Sequence, residues 1–298
     1  MKNFFYVIVI ICFIVSCKKE KEEKETIVSG NINILVDESI FPIIEDQKDV
    51  FEKNYRAKIN LTSTSEAEAV NHLLEDKARV AVLTRMLSEK EESSLQYNVI
   101  PKITKFAIDA IVFIVNKKEQ DSLIDLEQVY TYLNNEKSTI KNLVFDNPNS
   151  SITRNIFETL GINKEKIKTV YSKGTSEELI KFVSENEGYI GVIGINWLTQ
   201  TPPELLKHTQ NIKILSVKNV KTNSIDEEYV YPSQANIGKK IYPLTRELFL
   251  LNYQGTAGLG MGFASFVASD IGQKIVLTSG LAPVKLEPMN IKIKKDIN

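Results

Sequence analysis

The stretch LVFDNPNSSITRNIFETLG, residues 143–161, decides the fold. Its first five residues have the apolar pattern of a buried strand, and Ser151 to Leu160 have the spacing of a helix, which Gly161 ends. Only a short polar turn separates the two. A strand that passes through such a turn into a helix is the repeating unit of α/β proteins.

The same unit recurs along the chain. Further apolar runs predict strands at 31–37, 57–63, 79–84, 107–116, 168–172 and 188–198. Helical patterns lie between them at 42–55, 66–76, 125–133 and 175–185. Strands that alternate with helices predict an α/β fold with mainly parallel sheets flanked by helices.

The turn at residues 147–154 carries more hydrogen-bonding side chains than a helix start needs. One hydroxyl or amide is enough to cap the free N–H groups of a helix. Here Asn149, Ser151 and Thr153 are joined by Arg154. We interpret the excess as a ligand site, because a helix N-terminus favours an anion through its N–H groups and its macrodipole.

Other predicted strand-to-helix turns have similar chemistry. They contain the pairs Ser39 and Ile40, Thr64 and Ser65, and Thr84 and Arg85. In open α/β sheets such turns lie at one edge, where ligands bind, and each arginine can grip an oxyanion in bidentate fashion. Capping alone is the alternative for the hydroxyl-bearing turns, and a surface position is the alternative for Arg85. Capping is favoured for Ser65, because Glu68 follows three residues later, as in a capping box.

The N-terminus predicts an exported, lipid-anchored protein. Residues 4–15 form an apolar run that suits a signal peptide and is too short to cross a bilayer, for which about 20 residues are needed. The run ends at Cys17 in a sequence that resembles a bacterial lipobox. We therefore expect residues 1–16 to be removed, Cys17 to be lipidated and residues 17–30 to form a charged tether. A plain secretory signal or a marginal membrane anchor is the alternative.

The composition argues against several classes of function. The 298 residues carry a formal net charge of −1 at pH 7 and show no basic stripe, which argues against a nucleic-acid partner. The chain has two histidines, no Gly-x-Ser-x-Gly motif and no metal-spaced cluster of histidine and cysteine. Gly258, Gly260 and Gly262 imitate a dinucleotide loop, but Phe263 stands where its last glycine belongs. We expect no catalytic residue, no metal and no cofactor, and a hydrolase is disfavoured.

The C-terminal segment GFASFVASDIGQKIVLTSGLAPV, residues 262–284, is similar to a known family. Its two phenylalanines, its Ser-x-x-Gly-Gln turn and its Gly-Leu-x-Pro ending resemble the tail of the phosphate-type solute-binding proteins of ABC transporters. Those proteins have the type II periplasmic-binding-protein fold. Segments 109–133, 174–194 and 242–251 resemble other parts of the family, so the resemblance covers about residues 31–287.

The resemblance implies a two-lobed clamp with two crossover hinge segments. Lobe 1 is expected at 31–110 plus 242–298, and lobe 2 at 111–241. It also implies a small oxyanion as ligand, above all inorganic phosphate, and an ABC transporter permease as partner. We expect a monomer in the cell envelope, on the periplasmic face or the cell surface. The expected ligand-binding residues are those of the chosen turns: Ser39, Ile40, Thr64, Ser65, Thr84, Arg85, Asn149, Ser151, Thr153 and Arg154.

Three departures from the family pattern concern the ligand. Ile152 replaces a glycine that lets the backbone approach the ligand. No arginine precedes the motif, and Asp146 would repel an anion if it pointed inward. Arg85 occupies the place of the acidic residue that accepts the proton of a bound phosphate. Another oxyanion, a lost site, or a cleft repurposed for sensing or for contact with an envelope protein are therefore the alternatives.

Overall fold

The computed structural model describes residues 25–163, 170–219 and 228–284. The predicted signal peptide, Cys17 and most of the predicted tether lie outside these ranges. Within them, no helix combines the length and the apolar character that crossing a membrane requires.

The described chain alternates strands and helices much as the sequence predicts. The strands are β1 (Ser29–Asp37), β2 (Arg56–Thr64), β3 (Val80–Leu83), β4 (Lys102–Asn116), β5 (Leu123–Asp125), β6 (Leu143–Phe145), β7 (Ile190–Gly194), β8 (Ile212–Ile214), β9 (Ser216–Lys218), β10 (Thr245–Asn252) and β11 (Ala282–Pro283). The helices are α1 (Phe41–Asn54), α2 (Glu66–Leu74), α3 (Glu89–Ser93), α4 (Leu126–Leu133), α5 (Ser151–Leu160), α6 (Ser176–Glu185), α7 (Asn196–Thr199), α8 (Leu206–Thr209), α9 (Gln234–Gly238), α10 (Leu259–Val267) and α11 (Asp270–Thr278). Short 3-10 turns cover Glu38–Ile40 and Pro203–Leu205.

One sheet connects the two halves of the molecule in the order β2-β1-β3-β10-β4-β7-β6. Strands β1, β2 and β3 run parallel, as do β6 and β7, whereas β10 and β4 are antiparallel to their neighbours. We call β2, β1 and β3 the β1 side of the sheet, and β7 and β6 the β7 side. The α/β two-lobed fold is confirmed, but the sheet is mixed because β10 returns between β3 and the long strand β4.

Strand β4 changes partner in its middle. It pairs with β10 up to Ala110 and with β7 from Ile111 onward. The predicted lobe boundary falls at this change, although the boundaries themselves stay a prediction. From Phe106 to Asn116 every residue of β4 is buried, so the strand joins both halves through a continuous core.

Local sequence explains the helix that follows β6. Ser150 caps α5 by accepting a hydrogen bond from the N–H of Thr153, and Gly161 ends it with the left-handed φ of 64°. The predicted bounds of this helix are those observed. Ile152, the departure from the family glycine, is fully buried in the hydrophobic core.

Two other predicted segments differ from the structure. The run 188–198 contains strand β7 only over Ile190–Gly194, and Asn196 begins a short helix. The predicted strand at 168–172 is described only from residue 170, where Ser172 forms an isolated bridge with Phe145. Apolar runs of this length predict burial more reliably than they predict the type of element.

The C-terminal motif packs the last two helices onto the sheet. Ser269 caps α11 by accepting from the N–H of Gly272, and the side chain of Gln273 donates to the carbonyl of Phe106 in β4. At Gly262, an added Cβ would lie 1.7 Å from the carbonyl oxygen of Ile27. The glycine therefore allows the two backbones to approach closely.

Candidate functional site

The candidate site is a cleft where the ends of β1, β3 and β6 meet the first turns of α2, α5 and α6. Contacts cross it from the β1 side to the β7 side. The hydroxyl oxygens of Ser39 and Ser151 are 2.9 Å apart. The N–H of Ala67 donates to the carbonyl of Asn149 at 3.5 Å. The two walls of the cleft are therefore in direct contact.

The carboxylate of Glu66 is held by three of the predicted ligand-binding residues. Arg154 donates to both of its oxygens, from Nε at 2.6 Å and from Nη2 at 3.0 Å. Thr84 Oγ1 donates at 2.9 Å, and Arg85 Nε donates at 3.2 Å. Only 3% of the Glu66 side chain is exposed. The predicted donors thus converge on one anion, which belongs to the chain itself.

Each arginine has a second carboxylate partner. Arg85 donates to both oxygens of Glu91 at 2.7 and 2.8 Å, and Arg154 donates to Glu158 at 2.6 Å. Burial raises the pKa of Glu66, but the bonds and charge of Arg154, with the charge of Arg85, outweigh burial and lower this pKa overall. The hydrogen bonds from Arg85 lower the pKa of Glu91 to about 2.

A buried ion pair forms the centre of the cleft. Arg246 donates to Asp109 Oδ2 from Nε at 2.9 Å and from Nη2 at 2.6 Å. Its Nη1 donates to Ser151 Oγ at 2.8 Å. The two charged residues are register partners in β10 and β4. Burial raises the pKa of Asp109 by more than Arg246 lowers it.

Two further carboxyl groups are wholly buried on opposite walls. Asp37 Oδ1 accepts from the N–H of Ser39 at 3.1 Å, and Asp146 Oδ1 accepts from Ser150 Oγ at 2.6 Å. The Oδ2 atom of each has no hydrogen-bond partner in the part of the chain that the structure describes. Burial raises the pKa of both groups, that of Asp146 to about 7. Asp146 therefore points inward, as the sequence analysis considered.

Glu38 reaches across the cleft to the N-terminus of α6. Its carboxyl oxygens accept from the N–H of Ser176 at 2.9 Å and from Ser176 Oγ at 3.0 Å. Its backbone carbonyl accepts from Trp197 Nε1 at 3.2 Å. Burial, and next the charge of Asp146, raise the pKa of Glu38 to about 8.

The remaining predicted residues have structural roles. Ser65 caps α2 by accepting from the N–H of Glu68, and Thr64 Oγ1 donates to the Glu68 carboxylate at 2.6 Å. Thr153 Oγ1 donates to the Asn147 carbonyl at 2.8 Å. Ile40 is fully buried in the core. Asn149 is exposed and contributes the carbonyl that Ala67 contacts.

A cavity of about 340 Å³ opens beside the two arginines. Arg85, Arg154 and Glu66 line one part of it, and Phe157 and Ile162 line another. This volume is many times that needed by one water molecule. A small solute could therefore reach the guanidinium groups from this cavity if Glu66 moved aside.

The cleft is acidic, which the sequence analysis did not foresee. Its described carboxyl groups outnumber its guanidinium groups. The carboxyl groups are those of Asp37, Glu38, Glu66, Asp109 and Asp146, and the guanidinium groups are those of Arg85, Arg154 and Arg246. A signal existed for Asp109, because it is a charged residue inside an apolar run. Among the described residues, no group of histidine, cysteine or acidic residues is arranged to hold a metal ion.

Comparisons with known proteins place this geometry in context. A family model described as a PBP superfamily domain matches residues 21–270. Among curated proteins, no significant match is found.

Solved structures share the fold at low sequence identity. A phosphate ABC transporter substrate-binding protein with bound phosphate from Clostridium perfringens has a TM-score of 0.70 and 18% identity, over 86% of this chain and 100% of that one. An ABC-type phosphate transport receptor from Vibrio cholerae has a TM-score of 0.61 and 17% identity, over 84% and 99% of the two chains. An OxyR2 regulatory domain from Vibrio vulnificus has a TM-score of 0.53 and 8% identity, over 80% and 97%. The fold is thus shared by proteins of different function, and the site must decide between them.

Proposed function

The chain belongs to the PBP superfamily, and from this membership we propose that it is a solute-binding protein that captures a small oxyanion in its interlobe cleft. Inorganic phosphate is the first candidate, since two of the similar structures are phosphate transport proteins. The proposal assigns no catalytic step and no cofactor.

One observation carries this proposal. Thr84, Arg85 and Arg154 come from distant parts of the chain and converge on a single carboxylate, that of Glu66. Charge-assisted and bidentate bonds of this kind are the usual means of gripping carboxylate and phosphate groups. The Glu66 carboxylate therefore stands in for the oxygens of an external oxyanion.

Binding then requires an exchange of anions. The arriving solute takes the donors from Glu66, and the Glu66 side chain moves toward the cavity of about 340 Å³. The lobes, expected at 31–110 plus 242–298 and at 111–241, close around the solute by hinge motion. Because Glu66 competes for the same donors, it lowers the apparent affinity for any external anion.

The cellular setting belongs to the same proposal. Lipidation of Cys17 would hold the protein at a membrane, as a monomer, while the closed form docks on an ABC transporter permease. A tether of roughly ten residues lets the body move by about 15–20 Å from its anchor, by the statistics of a flexible chain.

The test is a phosphate titration of the purified full-length protein in mild detergent. A ligand present at 100 times its Kd stabilises the native state by about 2.7 kcal/mol, which a shift in melting temperature reports. We expect phosphate to raise the melting temperature of the unmodified protein, and Arg154→Met to remove that response. Arg79→Met is the matched control, because Arg79 is a half-buried arginine that pairs with Asp76 and precedes β3, whereas Thr84 and Arg85 follow it. If millimolar phosphate, sulfate and arsenate all leave the melting temperature unchanged, oxyanion capture is refuted.

A second function is supported by the same cleft. Glu66 and Glu38 already satisfy donors that an external anion would use, so the closed form needs no ligand. Such a protein would act as an envelope sensor or as an interaction partner of another envelope protein. It would show no oxyanion response in the titration, and Arg154→Met would then change stability alone.

A further inference from the structure

Glu38 holds the two walls of the cleft together without any ligand. Its side chain leaves the β1 side and ends on the backbone N–H and hydroxyl of Ser176, in the first turn of α6. The Trp197 indole donates to the backbone carbonyl of the same residue at 3.2 Å. This contact is separate from the grip of the arginines on Glu66.

The contact brings like charges together. Asp146, at the end of β6, and Asp37, at the end of β1, both raise the pKa of Glu38 through their charges. Both aspartates are wholly buried, and each has an Oδ2 atom without a hydrogen-bond partner among the described residues. Arg246 is the cation facing the aspartates, and it already pairs with Asp109.

Protonation of the carboxyl groups would remove the repulsion between them. A protonated carboxyl group carries no charge, and its own O–H is a donor. A neutral Glu38 can still accept from the Ser176 N–H through its carbonyl oxygen, while its O–H donates to Ser176 Oγ. A proton on Asp146 likewise removes its repulsion with Asp37.

We propose that Glu38 and Asp146 form a proton-dependent latch, so that closure of the cleft takes up protons and the empty cleft opens as the pH rises. The proposal goes beyond oxyanion capture and does not depend on it, because the latch residues do not contact the predicted anion donors Thr84, Arg85 and Arg154. It also gives the inward-facing Asp146 a role.

The direction of the effect follows from the pKa values. Opening would expose the two groups to water and remove the burial that raises their pKa values, so these would fall toward the ordinary values of 4.5 for Glu38 and 3.8 for Asp146. In the closed form burial raises these pKa values to about 8 and about 7. Closure is therefore fully favoured below the lower values and weakens as the pH rises through the higher ones. Each group can shift the open-to-closed ratio by up to about tenfold per pH unit within its window.

Among the other charged groups around the latch, Asp37 adds to the effect and Arg246 limits it. Asp37 titrates in the same direction, because burial, and next the charge of Glu66, raise its pKa. Arg246 lowers the pKa of Asp37 and of Asp146 but stays charged throughout. The pKa of Glu66 is lowered, so its ion pairs with Arg85 and Arg154 are lost only in acid, below the pH range in which the latch titrates.

Trp197 allows a direct test, because it is the chain's single tryptophan and is buried against Glu38. The full-length protein in detergent and phosphate-free buffer is titrated from pH 5 to pH 9, and acrylamide quenching of its fluorescence is measured. We expect quenching to rise several-fold between pH 6.5 and pH 8.5. Small-angle scattering should show a matching increase in the radius of gyration.

Matched variants separate the latch from a general effect of pH. Glu38→Gln and Asp146→Asn each remove one ionisable group with little change of shape, so each should open less steeply with pH than the unmodified protein, and the double variant should open least. Glu187→Gln is the control, since Glu187 is an exposed carboxylate that pairs with Lys118. Circular dichroism at pH 5 checks that each variant folds, and either one that does is sufficient for the test. Quenching that is constant with pH, or equally pH-dependent in the folded variants and the unmodified protein, overturns the proposal.

Discussion

Replacing Glu66 by glutamine should strengthen phosphate binding and lower the free energy of unfolding of the ligand-free protein. The substitution keeps the length of the side chain and removes the charge that Arg85 and Arg154 hold. Removing one partner of a buried ion pair costs about 3–5 kcal/mol. Here each guanidinium keeps a second carboxylate, Glu91 or Glu158, and both arginine side chains are about a quarter exposed. We therefore expect a loss of only ~2 kcal/mol in the free energy of unfolding.

The same energy sets the expected gain in affinity. In the unmodified protein a phosphate ion must displace the Glu66 carboxylate before it reaches the donors. If that displacement costs ~2 kcal/mol, the apparent Kd is raised about thirtyfold, since every 1.4 kcal/mol is a factor of ten. Glu66→Gln should therefore lower the apparent Kd for phosphate by about 10- to 100-fold.

Isothermal titration calorimetry measures this gain, with urea unfolding as the parallel measure of stability. Glu158→Gln is the matched control, because it also removes a carboxylate from Arg154 but one that is mostly exposed. It should change the Kd by less than about threefold, as expected for a surface ion pair. Tighter binding in both variants would indicate a general charge effect. Unchanged or weaker binding in Glu66→Gln alone would refute the idea that Glu66 occupies the anion position.

Three other predictions concern the stability of residues outside the proposed anion position. Arg246→Met should lower the free energy of unfolding by about 3–5 kcal/mol, measured in urea, because it leaves the buried Asp109 carboxyl group without its partner. Gly262→Ala should cost about 1–3 kcal/mol in the same assay, because the new Cβ would lie 1.7 Å from the Ile27 carbonyl oxygen. The pKa of Glu91 is lowered to about 2 from 4.5, so its stabilising contribution is present above pH 4.5 and is lost as the pH falls toward 2. A melting-temperature series from pH 6 to pH 2 should show that loss in the unmodified protein and less of it in Glu91→Gln.

The fold could be predicted from the sequence because its signals are local. The bounds of α5 follow from a cap, a spacing of apolar residues and a glycine, all within residues 150–161. The family resemblance is confirmed by the model that matches residues 21–270. Bounds were missed where tertiary contacts decide them, as in β4, whose mainly polar first residues, 102–105, are held in the sheet by β10.

The site was predictable only in part, because its chemistry depends on which side chains meet. Thr84, Arg85 and Arg154 lie together at the cleft, as expected from helix starts at one edge of a sheet. The sequence did not indicate that Glu66 accepts their hydrogen bonds, because Glu66 has the pattern of an ordinary acidic residue in the first turn of a helix. Local pattern cannot distinguish a carboxylate that faces water from one that lies between two arginines.

The two proposed functions, a solute-binding protein and an envelope sensor or interaction partner, therefore differ in one quantity, the free energy of the ligand-free closed state. Two internal carboxylates, those of Glu66 and Glu38, bridge the walls of the cleft and stabilise closure without a solute. If closure by these bridges is favoured by only 1–2 kcal/mol, a solute with millimolar intrinsic affinity loses about 5- to 30-fold but can still compete at high concentration. If closure is favoured by about 5 kcal/mol, the loss exceeds a thousandfold and no oxyanion at cellular concentration can enter. The Kd of Glu66→Gln relative to the unmodified protein measures the part of this free energy that Glu66 contributes, and the same ratio for Glu38→Gln measures the part that Glu38 contributes. Together the two ratios separate the two functions.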